Sequence, residues 1–114
     1  MAIESYFLWE KVSSMVDGLP GVYEKLCYDT PAFYVGKKLF VRLKEDGTTI
    51  VVYNNERDNW IAKDADVFFI TDHYINYPLM LVNLQNVSAT DLKELLINSW
   101  QLRAAKSLLH QYKS

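Results

Sequence analysis

Two short turns, Gly36-Lys37 and Asp46-Gly47, bracket a strand-like run from Lys38 to Lys44. That spacing leaves little choice of topology. Glycine supplies the positive φ that tight hairpins need, and Asp-Gly is among the strongest hairpin signals. The bracketed run alternates, with Leu39, Val41 and Leu43 on one side and Phe40, Arg42 and Lys44 on the other. Ala32–Val35 precedes the first turn and the β-branched run Thr49–Tyr53 follows the second. Further upstream, Val22–Tyr28 alternates loosely before Asp29-Thr30-Pro31 punctuates the chain. Three or four strands joined by tight turns predict an antiparallel meander.

Helices flank it. Over residues 3–17, Leu8, Val12, Met15 and Val16 share a face that Trp9 widens, and Gly18 and Pro20 stop the helix. Asn54-Asn55 can cap a short helix over 55–63, with Trp60 and Ile61 as its anchors. Arg57 and Lys63 suit the dipole of that helix. Val67–Ile70 and Leu79–Leu84 have strand character, the second apolar on both faces. Ser88-Ala89-Thr90-Asp91 forms a capping box. The helix from Thr90 turns Leu92, Leu95, Leu96 and Leu102 inward beside Ile97 and Trp100; Ala104-Ala105 is where it could kink before running on to Tyr112. With 114 residues, half of them apolar and 14% aromatic, the chain is expected to form one α+β domain. Its antiparallel sheet should have about five strands packed with N- and C-terminal helices.

The formal net charge of −2 gives no overall basic footprint for nucleic acid. Cys27 is the single cysteine, so no intramolecular disulfide can form. No apolar run reaches the length of a membrane span, and an early acid, Glu4, replaces the basic start of a secretion signal. A cytoplasmic protein with no membrane association is expected.

Between the two last apolar runs, Ile70–Pro78 concentrates polar and aromatic groups. His73 is of the residue type that changes charge near neutral pH, Asp72 adjoins it, and Tyr74 and Tyr77 could stack on bases. With Trp60 they could line a small-molecule pocket. The stretch reads more readily as a structural corner, in which tyrosines bury their rings and Pro78 sets the entry to a strand. Asp72 and His73 would point apart in extended chain, which makes a poor dyad. A second candidate is the basic strip of Lys37, Lys38, Arg42 and Lys44 around Phe40, suited to phosphates plus stacking, or else a solvated face tempered by Glu45 and Asp46. Cys27, His73 and His110 lack metal-ligand spacing, and Gly36-Lys37-Lys38 lacks the rest of a phosphate loop. A Cys27–His73 pair is weak support for catalysis, since a lone strand cysteine is usually a small apolar residue. No metal, cofactor or catalytic residue is expected, and the chain reads as a non-enzymatic binding protein.

The order of several segments is familiar. Leu19-Pro20-Gly21-Val22 follows a first helix, and Val35-Gly36-Lys37-Lys38-Leu39-Phe40-Val41-Arg42-Leu43 makes a hairpin. Thr71, His73-Tyr74 and Tyr77-Pro78 precede a Leu/Val strand; Asp91-Leu92, Leu95-Leu96, Trp100 and Ala105-Lys106 close the chain. In this the sequence resembles the MmcQ/YjbR-like family of small bacterial proteins. The resemblance implies a frataxin-like (CyaY-like) α+β sandwich. It also implies DNA binding through two hairpin wings, here those turning at Gly36-Lys37 and Asp46-Gly47, with non-specific phosphate contacts from Lys37, Lys38, Arg42 and Lys44. Ala105 stands where relatives often carry a proline, which could straighten the last helix. The competing expectations are a self-pairing, protein-interaction or chaperone-like module, and a small-molecule site near His73.

Overall fold

In the computed structural model, which describes residues 3–113, the run between the two glycine turns is β3 (Lys38–Leu43), an inner strand of an antiparallel sheet. With β1 (Val22–Cys27), β2 (Thr30–Val35) and β4 (Thr49–Tyr53) it makes the expected meander. β6 (Leu79–Asn83) pairs with β4, and the two-residue β5 (Phe68–Phe69) closes the far edge, giving six strands in the order β1-β2-β3-β4-β6-β5. The sheet has one strand more than the five expected, and β5 falls inside the run Val67–Ile70 that reads as strand-like.

Two local features depart from the sequence reading. The first turn is not Asp29-Thr30-Pro31: Tyr28 and Asp29 are the left-handed pair, with φ of 52° and 65°, and Thr30 and Pro31 already belong to β2. Pro31 is tolerated because it opposes Leu26, one step from the turn-closing Cys27–Thr30 pair, where the ladder asks no N–H of it. The second departure is a β-bulge. Phe33 faces Val41 but Tyr34 faces Leu39, so Phe40 is the extra residue. The bulge swings Phe40 to the side of Val41, and both are fully buried.

One sheet face is covered by α1 (Ile3–Val16), α2 (Arg57–Lys63) and α3 (Ala89–Arg103), with α3 lying across β3 and β4. The core between them includes Val12, Phe40, Leu43, Ile50, Met80, Leu95 and Trp100. In α1 the buried stripe is Ser5, Trp9, Val12 and Val16, with Leu8 and Met15 at its margins. Trp9 stacks on Phe33 at 5.1 Å and donates its indole N–H to Glu24. In α3, Ser88 caps the N–H of Asp91 at 3.1 Å, while the Asp91 carboxylate is taken by Lys63 at 2.9 Å instead of closing the box. Leu102 is 42% exposed, because the buried stripe runs through Leu92, Leu95, Leu96, Ser99 and Trp100 and leaves it outside. Ala104 is extended and separates α3 from α4 (Lys106–Lys113), so the missing proline does not straighten the helix. Packing explains the break: Tyr112 lies on Trp100 at 5.1 Å, and Leu108 sits over Gly21. Among the described residues no helix is long and apolar enough to cross a membrane.

Asp46 fastens the β3–β4 turn. Its carboxylate accepts from the N–H groups of Thr48 and Thr49, both at 2.9 Å, and from the Thr49 hydroxyl at 2.7 Å. Partial burial raises its pKa, but these hydrogen bonds and Lys44 more than offset it and hold the carboxyl below its ordinary value. The stabilisation is therefore complete above the ordinary carboxylate pKa and is lost as pH falls through the depressed value. Asp46→Ala is expected to cost about 1 kcal/mol at neutral pH, since the group is partly solvated. In urea titrations the gap between variant and parent should narrow in acid; a gap independent of pH would contradict this account.

Candidate functional site

Among the described residues, no α-helix covers the other face of the sheet. Cross-strand partners share a face, and the register places Tyr23, Lys25 and Cys27 of β1 beside Tyr34, Ala32 and Thr30 of β2. The row continues through Leu39 and Arg42 of β3, Val51 and Tyr53 of β4, and Leu81 and Leu79 of β6. Only the 70–78 corner folds over this face, where Tyr74 packs on Val51 and Leu81 with Phe69 and Leu79 around them.

Tyrosines and cations alternate across the surface. Lys25 Nζ lies 5.8 Å from the centre of the Tyr34 ring, Arg42 lies 5.6 Å from Tyr28, and Lys44 lies 6.0 Å from Tyr74. The Arg103 guanidinium is 4.0 Å from Tyr53. Tyr23 and Tyr34 are stacked at 5.7 Å with 15° between their planes. The charged side chains that β1 to β4 and β6 direct to this face are Lys25 and Arg42, and Lys44 follows β3 directly. The acids Glu4, Glu10, Asp58, Asp91 and Glu94 all sit on α1, α2 and α3. The same helices also carry Lys11, Arg57, Lys63, Lys93 and Arg103, so their charges balance, whereas the strand-borne charges of the open face are all positive.

The Arg42 side chain is 12% exposed. Burial lowers its pKa, but a hydrogen bond with the Tyr74 side chain and the nearby Glu45 carboxylate, 3.4 Å away, outweigh that and raise it. Glu45 is held below its usual range mainly by backbone hydrogen bonding, with Arg42 adding to the effect. The Tyr34 hydroxyl is raised by desolvation and by its hydrogen bond with Cys27. Among Tyr28, Arg42, Val51, His73 and Tyr74 lies a cavity of about 180 Å³.

The corner is a structural clamp. Thr71 leads into a 3-10 turn, Asp72–Tyr74, and His73 rests edge-on against Tyr74 at 4.8 Å. Arg57 Nη1 donates to the carbonyls of Tyr74, Tyr77 and Leu79, and Nη2 donates to that of Ile75. Arg57 opens α2, where the helix dipole disfavours a cation, so these carbonyls explain its place.

The residues singled out from sequence do not all meet. Trp60 packs on Phe68 under α2, and Tyr77 is 56% exposed on the outside of the corner; neither lines the cavity that His73 and Tyr74 share. Arg42 and Lys44 belong to the open face, but Lys37 and Lys38 lie at the opposite end of β3. Phe40, expected beside the cations, is in the core. The two turns expected as wings point away from each other, as successive turns of a meander must. The Gly36-Lys37 turn leaves open space around Gly36 and is held by the Tyr23 hydroxyl, which donates to the Gly36 carbonyl; Gly47 is buried against Ser5 of α1. Sequence reasoning missed Tyr23, Lys25, Tyr28, Tyr34, Tyr53 and Arg103. Placing the first turn at Tyr28-Asp29 would have recovered Tyr23, Lys25 and Tyr34, because that turn fixes the β1–β2 register.

The model of the YjbR family matches residues 17–102. Uncharacterized protein Rv2570 of Mycobacterium tuberculosis (strain H37Rv) is 26% identical, over 91% of this chain and 94% of the relative; Uncharacterized protein Mb2600 of Mycobacterium bovis matches to the same extent. The crystal structure of Deinococcus radiodurans protein DR2400, with the family-model domain DUF419, aligns with a TM-score of 0.70 at 22% identity, over 87% of this chain and 80% of that one. This last likeness is one of fold.

Proposed function

The chain belongs to the YjbR family, and we propose that it is a non-enzymatic binding protein that takes DNA on the open face of its sheet. The observation that supports this is that the charges the strands bring to or beside that face, Lys25, Arg42 and Lys44, are all positive, while the charges of α1, α2 and α3 balance. A polyanion meets a positive surface there although the whole chain is acidic. The family resemblance points to DNA as well, and this reading puts the contact on the sheet between the hairpins instead of on two wings.

Binding of a fluorescein-labelled oligonucleotide, followed by anisotropy, should weaken with salt at a log–log slope of about −3. Lys25→Glu with Lys44→Glu should cost about tenfold or more in affinity. Lys11→Glu with Lys93→Glu, which makes the same charge change on the helical layer, should cost about twofold at most. Equal losses from the two pairs, or no binding at low salt, would remove the reading.

A further inference from the structure

The proposal above concerns phosphates, which every nucleic acid offers. The face also presents rings. Tyr28 is 78% exposed and Tyr23 44% exposed, and Tyr23 forms a stacked pair with Tyr34. Phosphate contact alone does not use these exposed ring faces. A paired duplex keeps its base faces inside its own stack, so it cannot use them either. Unpaired bases can, because every base has a face to stack.

Resting on the nucleic-acid reading of this face, we infer that its ligand is single-stranded, with bases laid on the sheet tyrosines and one base edge held at the cavity between Tyr28 and Tyr74. Three features agree with that ligand. The surface lacks paired projections to flank a groove, since the open turn at Gly36 and the docked turn at Gly47 lie at opposite ends of β3. The cations are set against rings, Lys25 against Tyr34 and Arg42 against Tyr28, so a phosphate neutralised by one lies next to a base stacked on the other. The cavity, at about 180 Å³, is below the ~300 Å³ at which ordinary ligand pockets begin. It is a slot for part of a planar group, with apolar Val51 and Leu79 on one side and Arg42 on another.

The test compares labelled oligo-dT with a duplex of the same length on the intact protein, using Tyr28→Asn and Tyr23→Ser. Asparagine keeps the left-handed backbone that Tyr28 adopts at a φ of 52°. Thermal melts of both variants show that they remain folded. The single strand is expected to bind about tenfold tighter than the duplex, and the Tyr28→Asn/Tyr23→Ser double variant to lose about tenfold for the single strand, with duplex affinity and salt slope unchanged. Duplex binding as tight as single-strand binding, or a double variant that weakens neither, overturns this inference and leaves the charge-based reading standing. Absence of binding to both ligands overturns both.

Discussion

Gly47→Ala is expected to lower stability by about 3 kcal/mol, a larger loss than its single methyl suggests. Gly47 has a φ of 74°, and a Cβ there would stand 2.1 Å from Ser5 Oγ and 3.0 Å from Ser5 Cβ. Ser5 is buried within α1, and although its Oγ can rotate, its Cβ cannot yield without a shift of the helix. Two costs therefore add: the left-handed backbone, about 1 kcal/mol for an L-residue, and the clash. Ser5→Gly combined with Gly47→Ala removes the clash and keeps the backbone cost. A double-mutant cycle from urea unfolding should give a coupling of about 2 kcal/mol between the sites. Simple additivity would mean that the β3–β4 turn is not seated on α1.

The second large effect is expected at Ser99, which has no exposed surface. The β3–β4 ladder ends at Val41–Val52 because the bulge displaces Phe40 from its partner. The Ser99 hydroxyl fills the gap from α3: it donates to the Phe40 carbonyl at 2.6 Å and accepts from the Tyr53 N–H at 3.0 Å. Arg103 continues the repair one turn later, donating Nε to the Leu39 carbonyl at 3.0 Å. Ser99→Ala leaves a buried donor and acceptor unpaired together, at an expected cost of about 2–4 kcal/mol. The urea midpoint should fall, and the Tyr53 amide should lose its protection from hydrogen exchange. Full protection with only a small shift of the midpoint would show that the strands close on each other without the hydroxyl.

These two sites show what sequence reading could and could not reach. The turns at Gly36 and Asp46-Gly47 were legible because positive φ is a local demand that few residues meet. From them followed the meander, the inward side of Val41 and Leu43, and the α+β class. The bulge at Phe40 was not legible, since alternation is blind to an inserted residue, and that one slip moved an aromatic from the expected binding strip into the core. The open face was only partly legible. Arg42 and Lys44 were singled out, but their neighbours Lys25 and Tyr34 come from strands whose register hangs on a turn made by Tyr28, a residue that seldom adopts a left-handed backbone. Arg57 was misread because its partners are four carbonyls from 74 to 79, a contact no local pattern announces. The break at Ala104 is set by what α4 packs against, so neither alanine nor proline at position 105 decides it.

β1 lies at the margin of the sheet, with one row of backbone groups unsatisfied by any neighbouring strand. Such a margin invites a second copy to extend the ladder. A two-fold axis through that junction stands perpendicular to the sheet, so opposed residues must come from the same side and their numbers must sum to an even value. The two registers that pair the most of Val22–Cys27 then centre on Glu24 against Glu24 or on Lys25 against Lys25. Either one sets like charges about 5 Å apart. Glu24 on the helical side and Lys25 on the open side thus both disfavour extension of the sheet through this margin.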